Sequence, residues 1–183
     1  MASELETLAN AIQSAFKTRN VGALRKISNE CTQKYTTTQN HAFIALAMAS
    51  YALSKISGKA HHQKYVFQKR IAFFVQKELE NAAKYAQEGN SDAFERELVG
   101  LFSKLEMIDA RDKRFVRDLL DKSKVKISAT LYAQGYSLSG SAAITGADKR
   151  ELLKYSGGTL ISDRAGKTKR ISERLDHGRK LLN

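Results

Sequence analysis

The chain has 183 residues, 42% of them hydrophobic and 27% charged, with no proline and a single cysteine. That balance excludes a disordered tail, allows one large domain or two small ones, and excludes a disulfide framework. The formal net charge is +12, divided unevenly: residues 1–110 carry +3 (14 Lys+Arg against 11 Asp+Glu) and residues 111–183 carry +9 (17 against 8).

Absence of proline removes the commonest helix breaker, and the 3.6-residue period dominates the chain. The expected fold class is all-α: a helical bundle over residues 1–108, then a trihelical helix-turn-helix region with a basic carboxyl-terminal arm and helix over 109–183. Ser3 and Glu6 have the spacing of a capping box, opening a helix to about Lys17 with Leu5, Leu8, Ile12 and Phe16 on one face. Asn20 suits the cap of a second helix carrying Val21, Leu24, Ile27 and Cys31. Cys31 has no CxxC partner or paired histidine, which predicts a small buried apolar residue. The threonine-rich stretch 35–39 reads as a break. Asn40 then caps a third helix to about Ile56, apolar nearly all round and so expected to be enclosed by its neighbours. Its longest apolar run, from Phe43 to Met48, is far too short to span a bilayer.

Gly58 ends that helix. A longer one is expected over 65–87, with Phe67, Ile71, Phe74 and Val75 inward and Lys69, Arg70 and Lys77 outward. The turn at 89–92 offers Ser91 or Asp92 as the next cap, with Phe94, Leu98, Leu101, Phe102 and Leu105 facing inward. A further helix over 109–134 places Val116, Leu120, Ile127 and Leu131 at steps of four, seven and four, and Gly135 closes it.

Residues 138–155 carry the most informative pattern. Ala142 stands four positions before Gly146, and Ala147, Leu152 and Tyr155 fall where a second helix would face a first. That spacing suits two short helices crossing closely over a glycine turn, as in a helix-turn-helix. Ser137 is placed to cap the first helix. Asp148 with Glu151 has the capping-box spacing for the second, and Gly157 and Gly158 stop it. Ser141 and Thr145 stand at positions often apolar in such motifs, and Gly140 weakens the first helix by roughly 1 kcal/mol relative to Ala. Lys149, Arg150, Leu153 and Lys154 are left outward. Arg150 is the expected base reader, since Arg grips guanine bidentately, whereas Lys149 and Lys154 more often meet phosphate. Leu153 would touch a thymine methyl or pack on the tail or a partner, and Ser137 and Ser139 join the interface from the first helix. Beyond the double glycine, Thr159, Leu160 and Ile161 suit a short strand or an extended arm. A basic loop follows, whose Arg164, Lys167, Lys169 and Arg170 would grip flanking phosphate. Residues 172–182 suit a final helix.

Signals of catalysis fail on inspection. Gly166, Lys167 and Thr168 resemble the end of a P-loop, but Ile161 stands where that loop needs glycine. The 135–139 stretch is one residue wrong for a nucleophile elbow. His61 and His62 are adjacent and would diverge by about 100° on a helix, and His41 and His177 have no ligand pattern. No cofactor, metal site or enzymatic activity is therefore expected. The first residues lack the basic and apolar regions of a signal peptide, which with the short apolar run predicts an intracellular protein.

Residues 122–157 resemble an archaeal family of uncharacterised helix-turn-helix proteins regarded as predicted transcriptional regulators. The likeness rests on Lys122-Ser123-Lys124-Val125-Lys126-Ile127, on Leu131-Tyr132-Ala133-Gln134-Gly135-Tyr136-Ser137-Leu138, and on Ala142-Ala143 with Thr145-Gly146. Glu151-Leu152-Leu153-Lys154-Tyr155 with Gly157, Glu173-Arg174-Leu175, residues 24–28 and residues 51–55 extend it over most of the chain. The resemblance implies a carboxyl-terminal DNA-binding motif and an archaeal, cytoplasmic setting. Arg150 stands where that family often has a large aromatic, which makes this surface more basic. The expected function is a DNA-binding transcriptional regulator acting on double-stranded DNA, with the amino-terminal bundle as the candidate homodimer surface and no membrane partner. RNA or ribonucleoprotein binding and an antitoxin-like protein-interaction module are the alternatives.

Overall fold

A computed structural model describes residues 2–58, 71–111 and 119–158, and every regular element among them is helical. In chain order these are α1 (Ala2–Lys17), α2 (Val21–Thr38), α3 (His41–Ser57), α4 (Ile71–Gln87), α5 (Ser91–Arg111), α6 (Leu119–Ala133), α7 (Leu138–Thr145) and α8 (Lys149–Gly158).

Caps set most of the boundaries. Asn20 accepts the backbone N–H of Ala23 at 2.9 Å and Asn40 that of Ala42 at 2.9 Å, so each asparagine satisfies a donor that the first helical turn leaves free. α5 is capped by Asn90, which accepts from the N–H of Ala93 at 3.1 Å; Ser91, expected as a cap, is the first helical residue. Likewise α1 begins at Ala2, so Ser3 lies inside the helix rather than capping it. The threonine run does not break α2. Thr36 donates its hydroxyl to the Gln33 carbonyl, and Thr37 and Thr38 both donate to that of Lys34, bonds that a helix accommodates. The break comes at Gln39, in the left-handed region at φ 55°.

α3 is the centre of the molecule, packed by α1, α2, α5, α6 and α7. Small residues let α2 approach it closely. The Ser28 hydroxyl donates to the Ala47 carbonyl at 2.8 Å and that of Ser50 to the Leu24 carbonyl at 2.7 Å, stitching the two helices in both directions. Each such buried bond contributes about 1 kcal/mol net, and losing one partner costs more. Phe16, Leu24, Phe43, Leu46 and Leu53 fill the space around them, and Cys31 is buried among them as expected. Burial, assisted by the neighbouring Glu30 carboxylate, pushes the Cys31 thiol up to about 12.

One inward assignment on α4 changes, that of Phe74, while Val75 is buried as expected. The helix's buried stripe is Ala72, Val75, Leu79, Ala82, Ala83 and Ala86, set by the alanines that let it lie against α1 and α5. Phe74 is thereby rotated off the stripe and is 48% exposed, beside Phe73 at 63%. Phe67, Lys69 and Arg70 lie outside the described residues. The helix expected to start near Asp109 does not start there: Asp109 belongs to α5, and α6 begins at Leu119, with Val116 outside the described residues. The division expected at 108/109 thus falls within α5. Leu119, Ile127 and Leu131 of α6 share one apolar core with α1–α5.

Candidate nucleic-acid interface

Residues 119–158 form a three-helix unit. Its private apolar cluster is small: Ala129 from α6, Ala142 from α7 and Leu152 from α8, with Leu138 packed against them. Ala142 lets α7 approach α6, and Gly146, at φ 70°, turns the chain in a conformation that a side chain would resist. Three residues, 146–148, separate α7 from α8.

Ser141 and Thr145, whose polarity looks like a defect in the sequence, are both buried and hydrogen-bonded. Ser128 of α6 is the hub: its hydroxyl donates to the Ser141 carbonyl at 3.1 Å and shares a close hydrogen bond with the Thr145 hydroxyl. Thr145 also reaches the Ser141 carbonyl at 3.3 Å, and the Ser141 hydroxyl donates to the Ser137 carbonyl at 2.9 Å. A polar network closed in this way offsets the cost of burying its hydroxyls. Sequence pattern missed it because Ser128 lies on a different helix.

The caps of α7 and α8 are the residues expected. Ser137 accepts from the N–H of Gly140 at 2.9 Å. The Asp148 carboxylate accepts from the N–H groups of Arg150 at 2.8 Å and Glu151 at 3.0 Å. The Glu151 amide, then that of Arg150 and the charges of Arg150 and Lys154, outweigh desolvation and hold the Asp148 carboxyl below its ordinary value. Gly157 and Gly158, expected to stop α8, form its last turn.

α8 presents one buried face and one open face. Leu152 is 0% exposed, whereas Lys149, Arg150 and Lys154 are exposed and Leu153 is 61% exposed. Tyr155, expected to pack inward, is 38% exposed, at the edge of the buried face. Ser137 and Ser139 are exposed at the start of α7, with the Ser137 hydroxyl engaged as a cap. Arg164, Lys167, Lys169 and Arg170 lie outside the described residues, as do residues 159–161, the expected final helix, His61, His62 and His177. His41 is exposed and stands edge-on to Tyr35, ring centroids 5.4 Å apart.

The unit is fixed to the bundle through α6, which packs on α2, α3 and α5, and through a contact at its α6–α7 corner. There Gln39 donates to the Tyr136 hydroxyl at 2.8 Å, and the Tyr136 ring lies 6.3 Å from that of Tyr35. On another side a cleft of about 500 Å³ opens between α3, α6 and α8, lined by Tyr51, Lys55, Lys122, Val125, Glu151, Lys154 and Tyr155. Nothing in the local sequence around any one of these residues announces it, because it is assembled from three separate helices.

Among the described residues no helix is long and apolar enough to cross a membrane, and no three of His, Cys, Asp and Glu gather as metal ligands would. No family model, curated protein or solved structure matches the chain. The likeness to archaeal regulators therefore rests on the residues quoted for it alone.

Proposed function

We propose that α7, the 146–148 turn and α8 are a helix-turn-helix, and that the protein is a DNA-binding transcriptional regulator that offers α8 to the major groove. The observation that carries this reading is the division of α8: Leu152 anchors it while Lys149, Arg150, Leu153 and Lys154 all stand in solvent. A helix anchored on one side and cationic on the other, joined to its neighbour by a short glycine turn, has the form that groove insertion requires. The +9 charge of residues 111–183 supplies sequence-independent capture, and Arg150 supplies the bidentate donor for guanine. One short helix reads few base pairs, so a second copy, docked through the amino-terminal bundle, would extend the site. An archaeal, cytoplasmic setting belongs to the same proposal, and catalysis does not.

The test is selection of duplex sequences by the full chain, followed by binding measurements at ~150 mM salt, where nonspecific capture is weak. Arg150→Ala is expected to cost about 1–3 kcal/mol on the selected site and to relax preference at one position. An Arg150→Ala protein that binds and discriminates like the wild type removes α8 from the interface. Tighter binding to structured RNA than to any duplex would replace DNA as the target.

A further inference from the structure

The cleft between α3, α6 and α8 has a composition that its position does not require. Three lysines from three helices, Lys55, Lys122 and Lys154, converge on a space that also holds Tyr51, Tyr155 and Val125. Like charges gathered this way repel, and packing alone would favour a single cation or none. Among the described residues Glu151 is the only acid in the lining, which leaves those residues a formal +2. Among the described residues neither Lys122 nor Lys154 has a carboxylate within ion-pair distance, whereas Lys124, on the same helix as Lys122, is paired with Asp121 at 2.9 Å. Lys55 is held over the Tyr51 ring, 5.1 Å from its centroid, so one ammonium is already placed beside an aromatic wall.

We propose that this cleft binds a small aromatic dianion: a planar ring bearing a phosphate monoester. Charge and shape both point there. A dianion neutralises the +2 lining, the tyrosine rings and Val125 cover an apolar plane, and Glu151 accepts from an amino or hydroxyl group on the ring. A volume of about 500 Å³ lies within the ~300–1,000 Å³ typical of small-molecule sites. Burial and the nearby Tyr51 push the Tyr155 hydroxyl upward from a value at which tyrosine is already neutral, so that wall of the cleft adds no negative charge.

The site has a regulatory consequence that rests on the DNA-binding reading. Lys154 lines the cleft, yet it also lies one helical turn from Arg150, on the outward side of α8. An anion that draws the Lys154 ammonium into the cleft withdraws it from a phosphate backbone. Occupancy and duplex binding then oppose each other, and by linkage each weakens the other equally.

Calorimetric titration of the full chain without DNA tests the site directly, using AMP and phenyl phosphate against adenosine and inorganic phosphate. At least one ring-bearing phosphate is expected to bind ~10-fold or more tightly than inorganic phosphate or adenosine, and Lys122→Gln and Tyr51→Leu each to weaken it by a similar factor. The idea is overturned if neither ring-bearing phosphate outbinds inorganic phosphate, or if both variants bind like the wild type. At a probe concentration that fills the wild-type cleft but little of the Lys122→Gln cleft, duplex affinity should fall several-fold in the wild type and much less in Lys122→Gln, whose altered residue is not on α8. A chain that takes the probe but no duplex sinks the groove-binding reading alone. A chain that binds duplex but no probe sinks the cleft alone.

Discussion

The amino-terminal bundle and the three-helix unit are held together by different means. In the bundle, large side chains such as Phe16, Phe43, Leu79 and Leu101 are buried around α3, so stability comes from apolar area removed from water. In the unit the private cluster holds three buried residues, two of them alanine, and hydroxyl groups of Ser128, Ser141 and Thr145 occupy positions where bulk would otherwise sit. A unit of that size would not stand alone; α6, whose Leu119, Ile127 and Leu131 belong to the larger core, carries it. The bundle is built for stability, and the unit for a defined orientation.

That contrast sets the order of expected losses. Phe43→Ala should be the most damaging, at about 3–5 kcal/mol of global stability by urea denaturation, because a full aromatic volume is emptied from an enclosed core. Leu152→Ala should cost about 2 kcal/mol, at the lower end for a leucine, because α8 can settle into part of the space. Its signature is local: hydrogen exchange should accelerate in α8 while α3 amides keep their protection. Equal acceleration in α3 would mean that the two regions unfold as one, and the contrast would be lost. Thr145→Val should cost about 1–2 kcal/mol, since Ser128 keeps the Ser141 carbonyl but loses its second partner. Adding Ser128→Ala to it should cost less than the two single changes together, a deficit readable in a double-mutant cycle. The smallest effect concerns the α8 cap. The Asp148 carboxyl is held below its ordinary 3.8 when folded, so its contribution is complete above that value and disappears as pH falls through the lower folded value. Exchange of the Arg150 and Glu151 amides should therefore quicken, relative to α3, on acidification through that window, and Asp148→Ala should abolish the difference.

What the sequence made legible follows the same line. Patterns confined to one helix were readable: the buried stripe of α1, the Asn20 and Asn40 caps, Ser137 and Asp148 as caps, and Gly146 as the turn. Some errors arose where a partner element decides, others where a local bond does. Phe74 faces solvent because alanines elsewhere on α4 fix its rotation against α1 and α5. The threonines of α2 stay helical because each hydroxyl finds a carbonyl three or four residues back, a choice that composition alone does not reveal. The lysine cleft was invisible for a related reason, since Lys55, Lys122 and Lys154 are 32 to 99 positions apart in the chain. On α8, by contrast, both the anchor Leu152 and the open cations were recoverable from the register, while Tyr155 was placed too deeply.

The Ser128 hub has a mechanical corollary. Greasy surfaces tolerate sliding, because dispersion changes gradually with distance, but a hydroxyl that must meet a carbonyl and a second hydroxyl loses both after a small displacement. The joint between α6 and α7 is thus closer to a bolt than to a bearing. Any swing of α7 against the bundle would have to carry α6 with it, and its pivot would lie where α6 meets α3 and α5.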